Sequence, residues 1–168
     1  MTQFPALLDL PEIHLRVLAW LFDKMPPTQF TYALTGSAGL RIQGVDVPVH
    51  DLDIQTDQET IFILEEKLAG FMKTPVHVWE SSGMRSLDGK AEVEGIEIEL
   101  LANSSHRLPD GSWSSFTDFS RLIHVELHGL MVPVFPLEDE LEAYEAMGRI
   151  EKAALIRETI ARLQAGNL

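Results

Sequence analysis

Asp51 and Asp53 stand two residues apart in "HDLDIQT", separated by the thirteen residues Ala38 to His50 from a Gly36-Ser37 pair. In an extended chain alternate side chains share a face, so the two carboxylates lie side by side while Leu52 and Ile54 point the other way. Neighbouring carboxylates repel each other unless a cation or a proton sits between them. A bound divalent metal is the simplest cause of such a pair.

Phosphoryl and nucleotidyl transfer use a small set of parts. Two metal ions clamp the attacking and leaving oxygens, and carboxylates from neighbouring strands hold the ions. A turn with free backbone N–H groups cradles the terminal phosphates. The chain carries these parts in order: Gly36-Ser37, then Asp51 and Asp53, then Glu97 or Glu99 in "KAEVEGIEIELLA". Alternation puts Glu97 and Glu99 on one face and Ile96, Ile98 and Leu100 on the other, and does not separate the two glutamates.

The run "LTGS", the spacer and "DLD" resemble the nucleotidyltransferase superfamily of the DNA polymerase beta type. That superfamily carries Gly-Gly or Gly-Ser after a hydrophobic residue, then a spacer, then Asp-hydrophobic-Asp. "AEVEGIEIE" (91–99) and "PLEDELEAYEAMGRIEK" (136–152) are similar to segments of its small, single-domain bacterial and archaeal members. The resemblance spans roughly residues 30–156. It implies that Gly36 and Ser37 hold a triphosphate, that Asp51 and Asp53 bind Mg2+, and that Glu99 completes the metal site or acts as base. Alignment on Gly95 selects Glu99 over Glu97. Arg41, Arg149 and Lys152 are candidate phosphate contacts, with Lys152 the better of the tail pair because a point charge tolerates imprecise placement. The competing reading makes Lys152 a surface partner of neighbouring glutamates.

The implied activity is Mg2+-dependent transfer of a nucleoside monophosphate from an NTP to a hydroxyl of a small molecule or protein, with release of pyrophosphate. The alternative is a nucleotide- and metal-binding regulatory or toxin–antitoxin module without efficient turnover. Relatives of this kind include antibiotic-modifying adenylyltransferases, and nothing in the chain selects the base, the acceptor or the oligomeric state.

The elements that must position these residues follow from periodicity. "PEIHLRVLAWLFDK" predicts a helix, with Ile13, Val17, Leu18 and Leu21 as its apolar stripe and Pro26-Pro27 as its stop. "FTYALTG" predicts a buried strand, Ser37–Gln43 a short helical turn, and "HDLDIQT" a second strand. "TDQE" at 56–59 has capping-box spacing and opens a helix whose stripe is Ile61, Leu64, Leu68 and Phe71. "PVHVWE", the two strands around Gly95 and two more around Gly129 follow, with 103–120 read as a polar loop turning at Asp110-Gly111. Leu137, Leu141 and Tyr144, then Ala153, Ile156, Ile160 and Leu163, mark two tail helices on either side of Gly148. The expectation is an α+β fold. Its sheet is mixed and largely antiparallel, flanked by helices, with a catalytic domain at 1–135 and a C-terminal helical tail at 136–168 packed on it.

Composition bounds the function class. The 168 residues suit one domain, and the absence of cysteine excludes a disulfide framework and thiolate metal sites. A net charge of −13, from 26 acidic and 13 basic residues, repels polyphosphate backbones, so long nucleic acid is an unsuitable partner. An NTP that arrives with Mg2+ is not excluded, because the metal brings the missing positive charge. No run approaches a membrane span and no signal pattern opens the chain, which points to the cytoplasm.

Other chemistry-bearing residues read more plainly as structure. His50-Asp51 enters a strand and lacks the helical His and Asp partners of a metal phosphohydrolase. His14 and His77 fall in apolar periodic stretches and read as satisfied structural histidines. His106, His124 and His128 lack zinc-site spacing. Trp113 reads as packing beneath its loop, and the glutamates from Glu138 to Glu145 as a solvated helix face.

Overall fold

The computed structural model describes residues 2–166. In chain order its elements are β1 (Gln3–Pro5), α1 (Glu12–Lys24), β2 (Tyr32–Thr35), α2 (Gly36–Ile42), β3 (Leu52–Thr56) and α3 (Gln58–Lys67). There follow β4 (Met72–Glu80), β5 (Met84–Val93), β6 (Ile96–His106), β7 (Ile123–Leu127), β8 (Leu130–Val134), α4 (Leu137–Ala146) and α5 (Ile150–Gln164). No helix among the described residues is long and apolar enough to cross a membrane.

Helix α1 starts directly after Pro11, with Glu12 in its first turn and Lys24 in its last, both favourable to the helix dipole. Its buried face of Val17, Leu18, Leu21 and Phe22 packs with Ile61 and Leu64 of α3 against Leu52, Ile54, Ile98 and Leu100 of the sheet. Each such side chain removed from water contributes about 1.5–3 kcal/mol, so this apolar layer holds the strands in register. The other face of β3 and β6 is left half-buried, and it carries the polar residues.

The eight strands form one mixed sheet in the order β1-β7-β8-β2-β3-β6-β5-β4. Neighbours are parallel at β1/β7, β8/β2 and β3/β6 and antiparallel at β2/β3, β4/β5, β5/β6 and β7/β8. The α+β reading therefore holds. Two pairings matter for chemistry: Thr35 faces Asp53 across β2/β3, and Asp53 faces Glu99 across β3/β6.

A second, smaller core joins the helical tail to the sheet domain. Leu137 and Tyr144 of α4 and Ala153 and Ile156 of α5 pack on Leu40, Val45 and Val47. The chain turns between the two helices at Gly148, which adopts φ +71°. A left-handed residue there lets the chain reverse at no side-chain cost.

Several local expectations are corrected. Strand β1 carries no alternation long enough to announce it; it forms by pairing with β7. Residues 103–106 belong to β6, paired with β5 as far as His106. A register shift in β5 between Arg85 and Leu87, and Asn103 at φ +52°, break the alternation that would have revealed this. The α3 cap is Asp57, which accepts the Thr60 N–H at 2.8 Å. Thr56 stays in β3 and donates its hydroxyl to the Thr31 carbonyl. Asp57, one residue along, is the stronger capping residue. Phe71 lies beyond α3, exposed, with its ring edge-on to Trp20. His77 is exposed on the edge strand and bonded to the Pro75 carbonyl, whereas His14 is buried with Nε2 on the His50 carbonyl at 2.9 Å.

Candidate active site

The site grows from the end of β2. Gly36 follows Thr35 directly and adopts φ +62°, a conformation that side chains resist. Space enforces the same choice: a Cβ on Gly36 would lie 1.9 Å from Asp53 Oδ2. Only glycine lets the turn approach the carboxylate this closely. Gly36 opens α2 and Ser37 and Ala38 continue its first turn, so the Gly-Ser pair sits where strand becomes helix, beside Asp53.

Asp51 stands just before β3 and is exposed, while Asp53 within it is half-buried. Asp53 and Glu99 meet side by side, their carboxyl groups within hydrogen-bonding reach. Burial pushes the Asp53 carboxyl up to about 8, and Glu99 and then Asp51 push in the same direction. Glu99 moves the opposite way, held below the ordinary carboxylate range by its hydrogen bond to Asp53 and by Lys90. The two carboxyl groups titrate as a pair, and each opposes a second negative charge beside it.

Glu97 lies on the same face but outside this contact. Lys90 of β5 stands opposite Glu99 and places its Nζ 3.2 Å from both Glu97 and Glu99. Lys90 is not among the residues that motif and spacing select. Its position opposite Glu99 across the β5/β6 turn at Gly95 is the signal that would have found it.

Lys152 reaches the site from α5. Its Nζ donates to Ser37 Oγ at 2.8 Å, lies 5.7 Å from the Tyr144 ring centroid, and acts on Asp53 through charge. The Arg149 guanidinium sits over the same ring at 5.3 Å. Burial, with Arg149 adding to it, lowers the Lys152 ammonium pKa. Burial likewise raises the Tyr144 hydroxyl to about 12.

Arg41 is not brought into this group. Its guanidinium is taken up by the Asp9 carbonyl at 2.7 Å, the Val47 carbonyl at 3.2 Å and the Asp46 carboxylate at 3.3 Å. It ties α2 to the N-terminal segment and to the loop before β3. Trp113 lies against Arg85, 4.3 Å from its ring centroid, and Arg107 at 5.6 Å.

Glu140 is the residue that the sequence misplaces. Its place in the acidic run Glu138–Glu145 predicts a solvated face, yet it is buried and accepts a hydrogen bond from Thr35 Oγ1 at 2.8 Å. Burial raises its carboxyl to about 7. Helical spacing offered the signal, since Leu137, Glu140 and Tyr144 fall on one stripe of α4.

The donor set of Asp51, Asp53 and Glu99 is all hard oxygen, the chemistry that Mg2+ selects. Asp53 and Glu99 repel each other when both are charged, and a cation beside them relieves that repulsion. Among the described residues no three His, Cys, Asp or Glu side chains converge at metal-ligating spacing. The two that touch and the exposed Asp51 beside them fit a divalent ion by chemistry and charge.

A model of the aminoglycoside-2''-adenylyltransferase family matches residues 17–163. A candidate nucleotidyltransferase from Thermotoga maritima is similar in structure, with a TM-score of 0.81 at 33% identity over 93% of this chain and 98% of that one. The lincosamide antibiotic adenylyltransferase LnuA, solved with lincomycin bound, gives 0.57 at 18% identity over 90% of this chain and 99% of that one. ANT(2'')-Ia, solved in complex with adenylyl-2''-tobramycin, gives 0.55 at 12% identity over 88% and 90%. At these last two identities the likeness is one of fold. No curated protein matches the sequence.

Proposed function

The chain belongs to the aminoglycoside-2''-adenylyltransferase family, and from that premise we propose that it moves a nucleoside monophosphate, adenylyl first among candidates, from an NTP to a hydroxyl of a small-molecule acceptor. The observation that carries this reading is Asp53 set against Glu99 beside the Gly36-Ser37 turn. The family name and the bound molecules of LnuA and ANT(2'')-Ia favour a hydroxylated, antibiotic-like acceptor over a protein side chain.

In this proposal Asp51, Asp53 and Glu99 hold Mg2+, which when bound offsets phosphate charge and stabilises the leaving pyrophosphate. The chain's own residues do the rest. Gly36 brings backbone up to the phosphates without a side chain in the way, and Ser37 offers its hydroxyl. Lys152 supplies positive charge at the terminal phosphates in a chain whose net charge is −13. Glu99, at the partly open end of the pair and beside Asp53, is the group placed to accept the proton of the acceptor hydroxyl.

The test is turnover. Protein is incubated with each NTP, Mg2+ and a panel of aminoglycosides and lincosamides, and pyrophosphate release and acceptor mass are followed. The expected result is pyrophosphate release with an acceptor heavier by one nucleotidyl group. NTP binding with no pyrophosphate release from any acceptor would overturn transfer in favour of a nucleotide-binding module.

A further inference from the structure

Both neighbours of Gly36 are held by the helical tail. On one side Thr35 donates its hydroxyl to Glu140 of α4 at 2.8 Å, and on the other Ser37 accepts from Lys152 of α5 at 2.8 Å. We propose that Glu140 is a positioning residue for nucleotide: through Thr35 it fixes the strand end from which Gly36 and Ser37 project, so that the tail sets the shape of the phosphate cradle. This rests on the nucleotide reading of the site.

Three observations carry the proposal. First, Glu140 is buried, at 7% relative exposure of the residue, and a carboxyl group is costly to bury. A glutamate whose only task was to cover α4 would be better replaced by a leucine. Second, Thr35 stands at the N-cap position of α2 and yet makes no side-chain cap. Its hydroxyl donates to Glu140 instead, so the contact is made at the expense of the local bond that threonine ordinarily makes there. Third, Thr35 is the register partner of Asp53. A shift of Thr35 would therefore move the Gly36 turn against the Asp53 carboxylate, where no slack exists.

The stripe of α4 that faces the site explains how one helix does this. Glu140 takes Thr35, and Tyr144, one turn later, lies within cation–π distance of Lys152 and Arg149. Leu137 of the same stripe anchors the helix in the smaller core. A buried hydrogen bond at one end and an aromatic platform at the other hold α4 at a single height above the turn.

Two measurements test the role. In protein without nucleotide, hydrogen–deuterium exchange of the segment 34–40 should quicken at least threefold in Glu140→Leu and return towards the parent in Glu140→Gln, whose amide oxygen still accepts from Thr35. With nucleotide, Glu140→Leu should weaken NTP affinity about tenfold while its melting temperature at pH 8 holds or rises. Thr35→Val should give the same loss, and the double variant Thr35→Val/Glu140→Leu no more than either alone, as expected for two residues acting through one bond. Parent-like exchange and affinity in Glu140→Leu would overturn the proposal, as would losses that add in the double variant. Failure of the parent itself to bind any NTP would instead overturn the nucleotide reading, with the exchange result still deciding whether Glu140 holds the turn.

Discussion

Lys152 Nζ donates to Ser37 Oγ at 2.8 Å, across 115 residues of sequence. The bond closes the small core of α2, α4 and α5 over the Gly36 turn and carries a positive charge to the edge of an acidic cluster. The competing reading, a helix-surface pair with neighbouring glutamates, is not what the geometry shows, since no carboxylate lies within ion-pair distance of Lys152 among the described residues.

Lys152→Ala is expected to lower NTP affinity tenfold or more in the presence of Mg2+, equivalent to about 1.4 kcal/mol. Calorimetric titration measures it. Unchanged affinity in a folded variant would remove Lys152 from the phosphate site.

Gly36→Ala should abolish activity. The variant must either leave φ +62° or accept a methyl group 1.9 Å from Asp53 Oδ2. Backbone strain of this kind costs about 1–3 kcal/mol before any clash is counted, so a lower denaturation midpoint should accompany the loss. A fully active, equally stable variant would mean that the turn is not as tight as described.

Asp51→Asn and Asp53→Asn should each eliminate Mg2+-dependent NTP binding without unfolding the protein. For Asp53 the sign follows from its raised pKa, about 8 against an ordinary 3.8. The protein binds this proton more tightly than the unfolded chain does, so its stabilising effect is complete below the ordinary value and lost as pH rises towards 8. Asp53→Asn should therefore melt at or above the parent temperature at pH 8.5. A clear fall there would make this carboxylate structural.

Glu99→Gln should reduce transfer by orders of magnitude, as for loss of a charge among metal ligands, while Glu97→Gln keeps most activity. Glu99 touches both Asp53 and Lys90, whereas Glu97 reaches Lys90 alone among the residues of this contact. Initial rates at saturating NTP rank the two, and the reverse order would exchange their roles.

Glu140 gives a pH dependence of stability that can be isolated. Its pKa is raised from 4.5 to about 7, so its contribution falls as pH rises between those values, by about 3 kcal/mol at 1.36 kcal/mol per unit. Glu140→Gln should match the parent near pH 4.5 and exceed it at pH 8, as read from denaturation midpoints across that range. A difference independent of pH would show that burial does not raise this group as described.

Much of the site was legible in the chain because it obeys local rules. Period-two alternation assigned Asp53 to one face of β3, and Glu97 and Glu99 to one face of β6, since a strand has only two faces, whereas Asp51 falls one residue before β3 begins. A Gly-Ser pair after a β-rich run marked the turn, and apolar stripes marked α1, α3, α4 and α5. What alternation could not do was order the strands. Asp53 meets Glu99 because β3 and β6 are parallel neighbours in this register, a fact of pairing between segments more than forty residues apart. The same holds for Glu140, which by composition belongs to an acidic surface run. It is buried because α4 docks that stripe on the end of β2, where Thr35 has a hydroxyl to give. Arg41, next in sequence to the turn, is drawn elsewhere because the Asp9 and Val47 carbonyls and Asp46 gather round its guanidinium. Residue type and spacing determined which chemistry the chain can do. Packing decided which of the capable residues meet, because a contact depends on where whole elements dock, and docking is set by apolar faces remote from the site.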